Sequence, residues 1–568
     1  MEWTIKDRGK MWLGGDLMSH IYDNRHVQVD DNEYILKNLL HYKHLKNIDT
    51  VCARLAHAIK SKQKIIIVGD YDTDGATSTS LMMEVLSLFG SNNHDYIVPN
   101  RFEFNYGLSA KLVEFILPKS PDLIITVDNG ISSVEGVDFA NKHNIDVIIT
   151  DHHLAPSVLP NAFGIINPNQ PDDHFPSKNL AGVGVAFYTL LALRQHLLDI
   201  GHLSSTPNMS QYLDLVAIGT VADVVPLDFN NRILVAQGIE LIKNNPRVGV
   251  KALIHASNCD LKFLSSEDIG FHIAPKLNAA GRLKDISIGI QCLLSTNQST
   301  ADIHANQLKQ LNTERKAMDQ QMALDATYLI EEAQKKSVIT LYKPEWHQGV
   351  IGILASKVKE KTYKPTFVFA KTNDSELKGS ARSIPGINLK VLLSKLDEEY
   401  PNLMNGYGGH AMAAGLSMNI TNLENFSNLI CKKLEEAFDP DTFQKVYLSD
   451  GILAESDISL KNALLIESNG PWGQGFDEPV FHGTFEITEQ AILANKHLKL
   501  GLKVKNGNKT FPGIIFNVDV EQWSNIQWIE AIYKLKINRF KNRHQFQMLI
   551  VDARASNIHN KEKLLLTN

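Results

Sequence analysis

Three short runs of apolar, mostly β-branched residues each break off at an acidic motif. Ile65-Ile66-Ile67-Val68 runs into Gly69-Asp70-Tyr71-Asp72-Thr73-Asp74-Gly75. Ile124-Ile125-Thr126-Val127 runs into Asp128-Asn129-Gly130, and Val147-Ile148-Ile149-Thr150 into Asp151-His152-His153. Runs of this length bounded by turn residues predict buried parallel strands. In an open parallel sheet, ligands bind in the crevice beyond the carboxyl ends of the strands. The three motifs are therefore predicted to meet in one place. Carboxylates and imidazoles crowded together would push carboxyl pKa values up unless cations lay between them. Hard carboxylate oxygens mixed with imidazole favour manganese or magnesium over a thiolate-type zinc site.

At roughly 150 residues per domain, a chain of 568 residues predicts three or four domains. Residues 1–50 are mixed and carry no clear pattern. Residues 51–230 alternate helical patterns with apolar strands, which predicts a parallel α/β layer. Residues 231–335 read as helical, and 301–335, charged with few breakers, as one long connecting helix. A second, smaller α/β unit spans 336–445, with glycine-rich loops expected at 378–383 and 406–411. From 446 to 560 the pattern changes to short alternating strands. Lys499 to Lys505 leads into Asn506-Gly507, a hairpin signal, and a small β-barrel is expected.

The hydrophobic fraction of 43% and charged fraction of 21% are those of a globular protein. No apolar run approaches the ~18 residues of a membrane helix. The start, Met1-Glu2-Trp3-Thr4-Ile5, lacks the apolar stretch of a secretory signal. Cys52, Cys259, Cys292 and Cys431 are widely spaced and read as free thiols of a reducing compartment. The expectation is a cytoplasmic protein with no membrane partner. A net charge of −6 argues at first against nucleic acid. Five of those carboxylates would face metal, however, and without them the scaffold is nearly neutral.

Asp70, Asp72 and Asp74 alternate beyond their strand, and Gly75 lets the backbone turn sharply. A lone motif of this kind would equally suit an Asx turn or a helix N-cap. Its repetition behind three strands favours metal. A carboxylate bridging two ions roughly 3.5–4 Å apart suits phosphodiester hydrolysis, and Asp128, on the tip between the other clusters, is the candidate bridge. Asp223, in Val221-Ala222-Asp223-Val224-Val225, is expected to be buried and so paired or metal-bound.

Asp-Tyr-Asp-Thr-Asp-Gly, Val-Asp-Asn-Gly, Asp-His-His and Val-Ala-Asp resemble the four motifs of the DHH phosphoesterase superfamily. Gly408-Gly409-His410 resembles the glycine-rich motif of its associated DHHA1 domain. Pro99-Asn100-Arg101-Phe102, Tyr106-Gly107-Leu108, the segment from Pro275 to Arg282, and Pro471-Trp472-Gly473-Gln474-Gly475-Phe476 are similar to the RecJ branch. The resemblance covers about residues 50–555. It implies an α/β DHH domain joined by the long helix to a DHHA1 domain and followed by an OB-like barrel. It also implies a 5′→3′ exonuclease that degrades single-stranded DNA to mononucleotides, with two manganese or magnesium ions and a role in recombination and repair. Asp70, Asp72, Asp74, Asp128, His152 and Asp223 match metal ligands. His153 matches a phosphate contact or proton donor, and Asp151 a group that orients an imidazole. Arg101, Asn278 and Arg282 match residues holding a terminal 5′ phosphate.

Gly379-Ser380-Ala381-Arg382 combines backbone N–H groups, a hydroxyl and a guanidinium, a composition suited to phosphate. Gly408, Gly409 and His410 add a second close backbone approach. The barrel carries Lys503, Lys505, Lys534, Lys536, Arg539, Lys541 and Arg543 with Tyr533, Phe540 and Phe546 interleaved. That mixture reads either as a charged solvent face or as a groove that tracks phosphates and stacks bases. Single-stranded DNA is the expected partner of a monomer, with a single-strand-binding protein and a helicase as further candidates. Two other readings are a DHH phosphoesterase of short oligonucleotides, cyclic dinucleotides or pyrophosphate, and a non-catalytic replication scaffold.

Overall fold

The computed structural model describes residues 3–12, 14–27, 34–100, 104, 106–539 and 544–556. Two compact units divide the chain, one of Leu36–Lys445 and one in which Trp3–Ile35 joins the segment from Val446 onward.

The first unit opens with a five-stranded parallel sheet of β1 (Ile65–Val68), β2 (His94–Ile97), β3 (Leu123–Val127), β4 (Asp146–Thr150) and β5 (Gly164–Ile166). Their order is β2-β1-β3-β4-β5. The three acidic runs are the three central strands, and every residue of β1 and β3 is buried, as a sheet covered on both faces requires. The ladders continue past the strand ends. The Asp128 N–H donates to the Thr150 carbonyl and the Asp151 N–H to the Ile166 carbonyl, each at 3.0 Å. Sheet register thus brings these two carboxylates, 23 residues apart in sequence, to one edge.

Four helices frame that edge: α1 (Thr73–Leu88), α2 (Gly182–Asp199), α3 (Leu213–Ala222) and α4 (Ala274–Leu283). The expected long connector is α5, a single helix over Gln298–Ala333 and about 54 Å long at 1.5 Å per residue. Its buried positions, among them Ala301, Ala305, Leu308, Met322, Ala326 and Ile330, recur at three- and four-residue spacing, so one face is packed and the other solvated.

The remainder of this unit is a mixed sheet of β6 (Ile339–Tyr342), β7 (Thr366–Lys371), β8 (Glu376–Arg382), β9 (Gly406–Gly409) and β10 (Ala413–Asn419), in the order β9-β10-β8-β7-β6. Here the structure corrects the sequence reading. The two glycine-rich segments are strands, not loops. Gly379 to Arg382 lie in β8, paired with β7 on one side and β10 on the other, so no open backbone nest exists there. Glycine at 379 serves packing instead, since a Cβ would fall 2.5 Å from the Phe369 ring.

In the second unit, β11 (Phe481–Leu493), β12 (His497–Val504), β13 (Thr510–Phe516), β14 (Trp528–Asn538) and β15 (Gln545–Ala555) close into a barrel in the order β11-β12-β13-β15-β14. Asn506, at φ 62°, turns the β12–β13 hairpin as expected. Phe485, Leu498, Leu500, Leu502, Tyr533 and Met548 fill the interior. Trp3–Ile35 belongs to this unit. Arg25 grips the fully buried Asp450 carboxylate with two nitrogens, at 2.6 and 3.1 Å.

Candidate active site

The strand β1 ends at Val68, and the chain passes through Asp70 before Asp72 caps α1 by accepting the Gly75 N–H at 3.1 Å. The helix-cap reading is realised by Asp72, alongside which the metal reading still stands: Asp70 lies before the helix, Asp72 at its cap and Asp74 in its first turn. Asp128, at the tip of β3, takes φ 63°, a left-handed conformation that Asp tolerates better than most residues.

These side chains gather as predicted. Three groups bring candidate ligand atoms within 4.8 Å of one another: Asp70, Asp72 and Asp128; Asp74, His152 and Asp223; and Asp128, Asp151, His152 and His153. Asp128 and His152 each belong to two of them. His152 Nε2 stands 3.2 Å from Asp128 Oδ1 and 3.4 Å from Asp223 Oδ2. The Asp223 side chain retains 22% exposure, so it is half-buried rather than buried as expected; it caps the C-terminal end of α3, open to solvent on one side.

Both oxygens of Asp74 are held by the start of α2, accepting the Gly182 N–H at 2.6 Å and the Val183 N–H at 3.0 Å. This anchor was not foreseen; its only sequence signal is the small-residue start Ala181-Gly182-Val183-Gly184 of an apolar helix. Glycine at 182 is required, because a Cβ there would lie 2.5 Å from Asp128 Oδ1.

The donor set fits a cation. His152 bonds the Leu180 backbone; a neutral ring that donates there from Nδ1 carries its lone pair on Nε2. Burial, reinforced by the charge on His153, lowers its pKa to about 3. His152 Nε2 and Asp128 Oδ1 are both buried without a hydrogen-bond partner. They are two lone pairs facing each other, an arrangement a divalent ion resolves. Burial, and then the Asp74 charge, pushes the Asp128 and Asp223 carboxyls well up. Burial and Asp72 raise Asp74 to about 7.

Asp151 plays a different part. Its Oδ1 accepts His153 Nδ1–H at 2.7 Å, and its Oδ2 accepts the Ile131 N–H at 2.9 Å. It therefore orients His153 rather than His152. Burial alone would lower His153, but the Asp151 carboxylate outweighs it and raises the imidazole to about 9, a fixed positive charge at neutral pH. The His410 ring lies nearly parallel to it, with centroids 5.7 Å apart. Tyr106, to which sequence reasoning gave no role, donates its hydroxyl to the Asp128 carbonyl at 3.2 Å and stands 3.3 Å from His153 Nε2.

Beside the cluster opens a cleft of about 490 Å³ lined by Tyr71, Asp72, Tyr106, Asn278, Arg282, Ser380, Arg382 and Tyr407, among others, in the range of small-molecule sites. Arg382 bonds Ser380 Oγ at 3.2 Å and the Ala381 carbonyl at 2.8 Å. No carboxylate pairs with it among the described residues. Burial lowers its pKa. Asn278 accepts both the N–H and the hydroxyl of Thr73 at 2.9 Å, which leaves its amide NH₂ for the cleft. Arg282 bonds the Gly349 carbonyl at 3.3 Å. Gly408 and Gly409 lie on β9, and Arg101 falls outside the described residues.

In the barrel, Lys534 and Lys536 share Glu478 at 3.1 and 2.8 Å, and Arg539 pairs with Glu467. The β14 cations are thus largely matched within the unit. Tyr533 is fully buried and cannot stack a base, because it faces inward against Phe481 and Phe485. Lys503 sits opposite Glu486 and Thr510 in register, and Lys505 is in the hairpin loop. Phe540, Lys541 and Arg543 lie outside the described residues.

Known proteins agree with this arrangement. Residues 64–220 match the DHH family, N-terminal domain; 335–436 match the DHHA1 domain; and 449–552 match the RecJ OB domain. The single-stranded-DNA-specific exonuclease RecJ of Salmonella typhimurium is 44% identical over 94% of this chain and 95% of its own length. The Escherichia coli protein of the same name is 43% identical over the same shares. The crystal structure of Thermus thermophilus RecJ in complex with Mn²⁺ superposes with a TM-score of 0.81 at 26% identity, covering 98% of this chain and 80% of that one. The Mg²⁺ complex gives a TM-score of 0.76 at 25% identity, covering 98% and 78%. With three domain matches in order and such identity over nearly the whole length, the chain belongs to the RecJ family of DHH phosphoesterases.

Proposed function

We propose that this protein is a metal-dependent exonuclease that degrades single-stranded DNA from a 5′ end to mononucleotides. The observation that carries the reading is the pair of partnerless lone pairs on His152 Nε2 and Asp128 Oδ1, in a cluster beside a cleft lined by the half-buried Arg382. Asp70, Asp72, Asp74, Asp128, His152 and Asp223 would hold two manganese or magnesium ions, with Asp128 between them. Bound there, the ions lower the pKa of water and neutralise charge on the attacked phosphate.

The chain's own groups do the rest. Ser380 Oγ and the Arg382 guanidinium receive the terminal phosphate, with Asn278 Nδ2 and Arg282 beside them. A cleft that takes one nucleotide and no more would act as an end-stop. Asp151 holds His153 at Nδ1, which leaves the Nε2–H, beside the Tyr106 hydroxyl, to give a proton to the leaving oxygen. The retained acidic cluster speaks against a non-catalytic scaffold. The OB domain, an extended binding module, speaks against a substrate of one or two nucleotides. Polarity and product rest on family membership.

A single-strand-binding protein and a helicase are the proposed partners of a monomeric, cytoplasmic enzyme; no helix among the described residues is long and apolar enough to cross a membrane. Digestion of 5′- and 3′-labelled single strands with manganese, against duplex and RNA, tests the reading. Immediate release of the 5′ label as mononucleotide is expected. Equal attack on duplex, or release beginning at the 3′ label, would refute it.

A further inference from the structure

One face of the metal cluster carries three anomalies that the proposed chemistry does not use. Val224, immediately after Asp223, takes φ 60°, a left-handed conformation strained for a β-branched residue. Its apolar side chain is 61% exposed. Close by, Ile269–Ile273 forms a π-helical turn before α4, an insertion frequent at functional sites. That turn presents Phe271 at 72% exposure, whereas its neighbours Ile269 and Ile273 are fully buried.

The backbone places these features on one line. Gly270 packs against α3, where an added Cβ would sit 3.5 Å from Val221 Cγ1, two residues before Asp223. The Ala274 carbonyl accepts the Thr73 hydroxyl at 3.1 Å, between Asp72 and Asp74. Asn278 holds Thr73, and Arg282 lines the nucleotide cleft. The helical run from Phe271 to Arg282 therefore passes the whole cluster, with the phosphate-binding end at Arg282 and the exposed aromatic at the other. Eleven residues rise about 16 Å, and the ligand segment around Thr73 meets the middle of that span, between Ala274 and Asn278. A strand whose terminal nucleotide fills the cleft therefore continues past the metals toward Phe271.

We propose that Phe271, with Val224 beside Asp223, is a stacking platform for the nucleobase on the 3′ side of the scissile phosphate. The occupant is an unpaired base of the single-stranded substrate, since an exposed aromatic face accepts any base. This inference rests on the exonuclease reading above and deepens it. Stacking there draws the second base out of line with the first and holds the scissile phosphate over the cluster.

The test is a cycle between protein and substrate. Phe271→Ala and Phe271→Trp are compared with wild type on a 5′-phosphorylated single strand and on the same strand with an abasic second nucleotide. Phe271→Ala should lower kcat/KM roughly 5- to 150-fold, chiefly through KM, and Phe271→Trp should restore most of it. Wild type should lose a similar factor on the abasic strand, and there Phe271→Ala should lose nothing more. Equilibrium binding of manganese should be the same for all three proteins. Independent losses that multiply would overturn the platform, as would a Phe271→Ala enzyme equal to wild type on the intact strand. Either result leaves the exonuclease reading standing if wild type degrades that strand. A wild type unable to degrade it at all would overturn both.

Discussion

Asp74 links folding to metal binding, and replacing it with Asn should make the metal-free protein more stable at pH 8 but not at pH 5. Its carboxyl, raised to about 7 from 3.8, is buried with both oxygens on backbone N–H groups. The folded-state pKa exceeds the unfolded value, so between pH 4 and 7 folding takes up a proton and stability falls as pH rises. Below pH 4 the penalty is absent. Above pH 7 it is complete, at about 4 kcal/mol for a shift of roughly three units. The titration belongs to the whole cluster, because Asp128 and Asp223 are raised by the same neighbours. Asp74→Asn removes the charge but leaves the Gly182 or Val183 N–H without an acceptor, which costs about 1–3 kcal/mol. The net gain in chelator at pH 8 is therefore about 1–3 kcal/mol. In a unit of about 400 residues that raises Tm by roughly 1–4 °C. Manganese should reverse the order if Asp74 is one of its ligands, because it then stabilises wild type more than the variant. Thermal unfolding in chelator at pH 5 and pH 8, then with manganese, reads all of this. A Tm difference identical at the two pH values would refute the assignment of a proton to this cluster.

Asp128→Asn should abolish hydrolysis while leaving the circular dichroism spectrum unchanged, because a bridging carboxylate serves both ions; near-normal activity at saturating manganese would remove Asp128 from that role. Arg382→Ala should raise KM and lower kcat on 5′-phosphorylated strands, and Arg382→Lys should rescue only partly, since Lys lacks the planar fork. Arg247 pairs with buried Asp214 at 2.6 Å and with Glu84 at 2.8 Å, so Arg247→Met should destabilise the protein by about 3–5 kcal/mol in urea unfolding through the charges it strands. In the barrel, Lys499→Gln with Lys503→Gln should flatten the dependence of log K on log salt by about 1.4 in single-strand binding; Lys534→Gln with Lys536→Gln should change it less, because Glu478 already matches those cations.

What could be read from sequence was what neighbouring residues dictate. The Ile65–Val68 run and its two companions could only be buried strands, and the rule that ligands sit beyond parallel strand ends then brought Asp70, Asp128 and Asp151 together without coordinates. The 36-residue connector and the Asn506-Gly507 hairpin were legible for the same reason: helix periodicity and turn chemistry are local. Family resemblance extended this to the order of domains. Tertiary structure alone decided which partner each polar group received. Asp74 finds its N–H donors more than a hundred residues away, at the start of α2. Asp151 turned out to hold the His153 ring rather than that of His152, because the ring that reaches its Oδ1 depends on the backbone path between them. Gly379 to Arg382 look like a phosphate loop in composition, yet β7 and β10 claim that backbone on both sides. Lys534 and Lys536 read as a DNA track in sequence, and only the fold shows that both also pair with Glu478. Burial and pairing belong to the packed chain as a whole, and no local pattern carries them.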